Sequence, residues 1–199
     1  MRDVLKFKKL LNEFKSLKFE KEYVEDVLME ANSDFEKVYT EFIEENDIDP
    51  SDFGPLMVEE MQVDDDGQLH DSARIPEELA KFKETHKKLV RLLHPDAIDP
   101  SDPRKDEMSE DFKKMSTALQ NSIWADFFDV ADKYGVQIEE IEEANRLLTQ
   151  DIENLGQTIQ GKKKTFSWFL KQCDGDPACR DVVISAYFKS KFGWTRDEP

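Results

Sequence analysis

Glycine and proline are scarce, at 7 and 8 of 199 residues, which argues against a sandwich or barrel built from many short strands and tight turns. Cysteine occurs only 2 times, too seldom for a disulfide scaffold, so a reducing, cytoplasmic setting is the default expectation. No apolar run approaches the roughly 20 residues that span a bilayer, and Met1 to Lys21 holds no apolar core of the kind a secretory leader uses. No membrane partner is therefore expected. Bases are outnumbered: 28 Lys and Arg stand against 45 Asp and Glu, a net charge of −17. That balance disfavours wholesale nucleic-acid binding, because phosphates attract basic surfaces. What the chain does hold is aromatic mass. Its 14 Phe, 3 Trp and 4 Tyr are too many for a disordered polymer, even at a mean hydropathy of −0.71. The length suits one domain, or one domain with an appended helical stalk.

The negative charge is concentrated. Residues 22–72 carry 18 acids and the single base Lys37, whereas residues 1–21 carry 7 bases and 3 acids. A block of this kind reads first as a solvated connector. A sharper reading is an acidic decoy for a nucleic-acid-binding protein, although nothing spaces these carboxylates like phosphates.

Periodicity predicts helices throughout. Phe7, Leu10, Phe14, Leu17, Val24, Leu28, Ala31, Phe35, Val38 and Phe42 step by three and four, a heptad stripe over about residues 3–45 interrupted by Lys21. Ser33 with Glu36 could open a second helix inside it as a capping box. Pro50, Gly54 and Pro55 break the pattern, and Asp64-Asp65-Asp66-Gly67 reads as a loop. Ile-Asp-Pro-Ser-Asp stands at 48–52 and again at 98–102, a shared turn-and-cap solution rather than a repeat. A helix is predicted from Pro76 to Leu93, with Leu79, Phe82, His86, Leu89 and Leu93 on one face and Lys81, Glu84, Lys87, Lys88 and Arg91 on the other. The next helix starts after the Pro100–Pro103 turn, with Ser109 as its candidate cap and Phe112, Met115, Ala118 and Leu119 as its stripe. Ser122 is a candidate cap for a following piece that Gly135 would stop. Ile138, Ile141, Asn145, Leu148, Ile152, Leu155 and Ile159 form the most regular stripe, with Asn145 as its one polar, register-setting member. In the aromatic tail Pro177 can open a last helix.

Chemistry is sparse. The 3 His residues are His70, His86 and His94, and no nucleophile–base set, glycine-rich phosphate loop or metal-ligand spacing accompanies them. His86 lies on the apolar stripe and reads as a core histidine. Cys173 and Cys179 flank Asp174-Gly175-Asp176, short of the ligands that zinc or calcium would need. A local disulfide is possible there but poorly favoured in a cytosol. No catalytic residue, metal or cofactor is expected, and the protein does not read as an enzyme. His94-Pro95-Asp96 stands apart. Pro95 biases His94 out of α geometry and stops a basic helix there, leaving an imidazole, a rigid ring and a carboxylate on a turn beside cations. Such a set suits docking: the carboxylate can accept from a partner's arginine, and the cations can meet an acidic groove.

This stretch resembles the J domain of DnaJ-type co-chaperones, in which a basic helix ends at a His-Pro-Asp loop and the following helix packs back antiparallel. Phe112-Lys113-Lys114-Met115-Ser116-Thr117-Ala118-Leu119 fits the family's Phe-x-x-(Ile/Met)-x-x-Ala-(Tyr) stripe, with Leu119 where Tyr is frequent. The similarity covers about residues 76–122. The flanking heptads look like those of bacterial and phage J-like proteins, in which such a hairpin caps a long helical hairpin. The family's Tyr-x-x-Leu-Gly helix is not found upstream, where Leu56–Val63 is the only candidate.

The expected fold is all-α: a J-domain-like helical hairpin with long antiparallel coiled-coil-type helices. The expected segments are a heptad helix (1–46), an acidic connector (47–75), the hairpin (76–135), a second heptad helix (136–161) and an aromatic helical tail (162–199). The resemblance implies docking on a DnaK-type ATPase chaperone through His94, Pro95 and Asp96, with Lys83, Lys87, Lys88 and Arg91 steering and holding the contact. A client or assembly partner, and a homodimer through the heptads, are further expectations. The alternative is a structural or adaptor protein that puts a degenerate J-like hairpin to another use.

Overall fold

A computed structural model describes residues 2–49 and 77–195. The predicted loop at Asp64–Gly67, the candidate helix at Leu56–Val63, His70, Pro76 and the first Ile-Asp-Pro-Ser-Asp turn from Pro50 onward lie outside those residues. Among the described residues the fold is all-α, with no strand. The helices are α1 (Arg2–Glu45), α2 (Lys83–Leu93), α3 (Lys105–Gln120), α4 (Trp124–Lys133), α5 (Ile141–Lys162), α6 (Phe166–Gln172) and α7 (Pro177–Phe192). None of them is long and apolar enough to cross a membrane.

The first helix is continuous over 44 residues, so Ser33 starts nothing new. Ala31 and Phe35 are both buried on either side of it, and unbroken burial outweighs a local cap. The helix stops before the prolines. Asp47 takes a left-handed φ of 50°, while the Ile48 amide donates to the Ile43 carbonyl at 3.1 Å and the Asp47 amide to that of Glu44 at 3.4 Å. This is a Schellman closure with aspartate in the place glycine usually takes.

The described residues divide into two compact units. One comprises 2–18 and 77–156; the other comprises 19–49 and 157–195. In the first, Phe7, Leu11 and Phe14 of α1 join Leu89 and Leu93 of α2, Met115 of α3, Phe127 and Phe128 of α4 and Leu147 and Leu148 of α5 in one core. Phe82 sits inside it, its ring 5.1 Å from that of Phe128 and 5.5 Å from that of Trp124. The predicted Pro76–Leu93 helix is shorter than expected. A 3-10 turn covers Glu77–Ala80 and the α-helix begins at Lys83, which lets Leu79 and Phe82 both turn inward.

Ion pairs set the helix directions in this unit. Lys8, Lys15 and Lys18 of α1 meet Asp132, Asp129 and Asp126 of α4, at 3.6, 2.6 and 3.0 Å, so these helices run in opposite senses. The start of α4 is held by α5, whose Asp151 carboxylate accepts from the Ala125 amide at 2.7 Å, so α4 also opposes α5. It follows that α1 and α5 run in the same direction here. The Asn145 side chain donating to the Asp3 carbonyl at 3.2 Å agrees. The antiparallel pairing expected of the two heptad helices is thus corrected: α4 is the antiparallel neighbour of both. Asn145 is buried as expected of a register position, and its Oδ1 has no partner among the described residues. Ile138 precedes α5 rather than opening it.

Two predicted caps move as well. α3 starts at Lys105, so Ser109 is internal to it; no side chain caps the helix, and the Asp102 carboxylate accepts from the Arg104 amide at 2.8 Å in the turn before it. Ser122 adopts a φ of 56° and caps nothing, since Asp151 serves α4 from a distance. Gly135 does stop α4 as expected, at a φ of 64°, with the Val136 amide on the Ala131 carbonyl at 2.9 Å.

In the second unit α6 and α7 form a hairpin whose Leu170, Ile184, Tyr187 and Phe188 pack with Phe35, Tyr39, Phe42 and Ile43 of α1. The Phe188 ring stacks on Phe42 at 4.8 Å and on Tyr39 at 5.1 Å. Asp176 caps α7 through the Ala178 amide, and Pro177 occupies its first turn as predicted. Cys173 and Cys179 are joined in a disulfide, their Cα atoms 5.5 Å apart. The expectation that a disulfide is disfavoured came from a presumed compartment; the turn itself brings the two side chains together. Lys162 and Lys163 pair with Glu25 and Glu20 of α1, at 3.1 and 2.6 Å.

Candidate functional site

The end of α2 and the turn after it are built by a sharp division of faces. At 100° per residue, Lys83, Glu84, Lys87, Lys88 and Arg91 fall within about 140° of one another, and all are exposed. Thr85, Leu89 and Leu93 on the other side are buried. Thr85 donates from Oγ1 to the Gln137 carbonyl at 3.4 Å. His86 is half-buried at the edge of that inner side, where burial holds its imidazole below the usual range, in keeping with a core histidine.

His94 ends the helix. Its φ of −60° and ψ of 131° are extended, as a residue before proline requires. Its amide still donates to Val90 at 2.9 Å, and its carbonyl accepts from Ala97 at 2.8 Å, closing a 3-10 turn over Pro95–Ala97. Nδ1 accepts from the Asp96 amide at 3.2 Å and lies 3.7 Å from the Asp96 carboxylate. The imidazole meets the Phe112 ring edge-on at 5.3 Å, so α3 supports it from behind. The Asp96 side chain is 92% exposed and that of His94 43%. Pro95 is exposed too. Ile98, immediately beyond, is buried and anchors the turn to the core. The loop then repeats the turn chemistry read from its sequence: the Asp99 carboxylate accepts from the Ser101 amide at 2.8 Å and its hydroxyl at 2.7 Å, bonds that hold the Asp99 carboxyl below its ordinary range.

The seven predicted residues thus share one surface, but the cations are not equivalent. Lys87 pairs with Glu84 at 2.8 Å within α2. Lys88 reaches Glu139 at 3.5 Å, and Lys81 meets Glu143 at 2.8 Å. Arg146 and Lys81 hold the Glu143 carboxyl down at about 2. Lys83 and Arg91 have no ion pair among the described residues. Sequence reasoning missed Phe112 as the support of His94, and Glu139 and Glu143 as intramolecular counter-charges. Only Phe112 carried a signal, because it lies on the stripe that must face α2.

Among the described residues no group of three or more His, Cys, Asp or Glu side chains is placed to hold a metal ion. Comparison of the chain with protein-family models, with curated proteins and with solved structures finds no match.

Proposed function

We propose that the cationic face of α2 and the His94-Pro95-Asp96 turn form a docking surface for a DnaK-type ATPase chaperone, and that docking promotes ATP hydrolysis by that partner. The observation that carries this reading is the exposure of a rigid turn, anchored by Ile98 and Phe112, at the end of a helix that buries its apolar side and shows its cations. The chemistry is recognition. Asp96, almost fully exposed and with Oδ2 3.7 Å from His94 Nδ1, presents a carboxylate that can accept from a partner's arginine. Lys83, Lys87, Lys88 and Arg91 raise the encounter rate with an acidic surface and make it salt-sensitive. The reacting groups all belong to the partner. A cytoplasmic location goes with this reading.

The self-paired lysines favour a second reading, an adaptor that uses the same hairpin on a less acidic structural or assembly partner. Single-turnover ATP hydrolysis by the chaperone separates the two. The co-chaperone accelerates it, and His94→Gln abolishes the acceleration with the helical circular dichroism unchanged. Lys83→Glu or Arg91→Glu should weaken the effect more than Lys88→Glu, because Lys88 already has a counter-charge. Absence of acceleration, or acceleration indifferent to His94→Gln, rejects the co-chaperone.

A further inference from the structure

The cationic face of α2 carries its own anions, and they divide its cations into two kinds. The Glu84 carboxylate pairs with Lys87 at 2.8 Å. The hydrogen bond and charge of Lys87, and then the charges of Lys83 and Lys88, hold the Glu84 carboxyl below its ordinary range against the smaller effect of desolvation. Glu139 reaches the same face from the segment before α5 and stands 3.5 Å from the Lys88 ammonium. Both carboxylates are open to water, with side chains 62% and 66% exposed. Lys83 and Arg91, the end members of the face, have no ion pair among the described residues. Their positions in α2 set them about 12 Å apart along the helix axis.

A carboxylate arriving from a partner gains differently at the two kinds of cation. At Lys83 or Arg91 it makes a pair where there was none. At Lys87 or Lys88 it must replace a carboxylate already in place. That step exchanges one exposed ion pair for another and changes the free energy little. The middle of the face is therefore closed to isolated acids, while its two ends are open. Discrimination between partners is commonly built this way, from a repulsive element set beside the attractive one.

We infer that Glu84 and Glu139 are specificity-determining residues of the α2 docking surface: they compete with the partner for Lys87 and Lys88, so the surface selects a partner whose carboxylates reach Lys83 and Arg91 together. The inference rests on the docking reading given above and specifies the partner chemistry that reading needs. The partner presents carboxylates at two points about 12 Å apart, with its arginine beyond them for Asp96. A partner that meets only the middle of α2 gains almost nothing over the anions the chain supplies itself.

The test is the concentration of full chain that half-saturates single-turnover ATP hydrolysis by a DnaK-type chaperone. Glu84→Gln and Glu139→Gln should each lower it about two- to fivefold at low salt, and the gain should shrink as salt screens these exposed charges. Most of the Glu139→Gln gain should vanish in a Lys88→Gln background, and most of the Glu84→Gln gain in a Lys87→Gln background, because each anion acts through the cation it holds. In the parent, Lys83→Gln and Arg91→Gln should cost more than Lys87→Gln and Lys88→Gln; with both glutamates replaced, the four should cost alike. Glu153→Gln controls for net charge. It is exposed on α5, about 15 Å along that helix from Glu143, and should leave the value unchanged. Suppose the parent accelerates hydrolysis but neither glutamate variant tightens the response, or Glu153→Gln tightens it equally, or the gains survive loss of the paired lysine. The inference is then overturned while the docking reading stands. No acceleration by the parent or by any variant rejects the docking reading, and the inference falls with it.

Discussion

Asp151 offers the sharpest test of how this fold is held. Its carboxylate caps α4 from α5, accepting from the Ala125 amide at 2.7 Å. Burial pushes its pKa up from 3.8 to about 6, against the pull of the Ala125 amide, with the neighbouring Asp126 charge adding to the rise and the Trp124 amide opposing it. Between those two values the folded chain binds more protons at this site than the unfolded chain does. The site's contribution to stability therefore falls as pH rises from about 4 to about 6, and is lowest above that range. The difference of about 2 pH units corresponds to about 3 kcal/mol, which partial solvent exposure reduces to about 1–2 kcal/mol. Asp151→Asn keeps an acceptor for the Ala125 amide and removes the titration. Urea unfolding followed by circular dichroism should find this variant more stable than the parent by about 1–2 kcal/mol at neutral pH, the gap closing toward about pH 4. Asp151→Ala loses the cap and should fall below Asp151→Asn by about 1 kcal/mol at every pH. If the parent is instead the more stable at neutral pH and loses that lead on acidification, the helix amides favour the charge more than burial opposes it, and the reasoning fails.

Two other contacts give equally direct readings. Gly135→Ala places a Cβ where nothing lies within 4 Å, so its cost is the left-handed backbone alone, at a φ of 64°. About 1–2 kcal/mol is expected in the same urea assay, and a neutral result would show that the α4 terminus relaxes. Cys173→Ser with Cys179→Ser opens a short ring between α6 and α7. Loop-closure entropy for a ring of that size is worth about 2 kcal/mol, so the thermal midpoint should fall, and reductant should lower that of the parent alone.

Much of the local architecture was legible in the order of residues. The stripe from Phe7 to Phe42, the two-faced character of α2, the stop at Gly135 and the start at Pro177 all depend on neighbours within about one turn, and a linear sequence displays such neighbours directly. The exposed turn at His94 belongs to this class, since Pro95 alone ends the helix there. Capping was read less well. Ser109 and Ser122 are good caps in isolation, but the chain capped α4 with a residue from a distant helix, where burial and hydrogen bonding act together.

What the linear order determined, then, is which residues turn inward on each helix and where most helices end, because those depend on i to i+4 relations. Only packing decided that α1 and α5 run the same way, that Phe112 backs His94, that Glu139 and Glu143 engage cations of the α2 segment, and that Cys173 meets Cys179. Each of these sets residues from separate elements, or from either side of a turn, against one another. Direction and counter-charge become definite only once the cores of Phe82 with Phe128 and of Phe42 with Phe188 have closed.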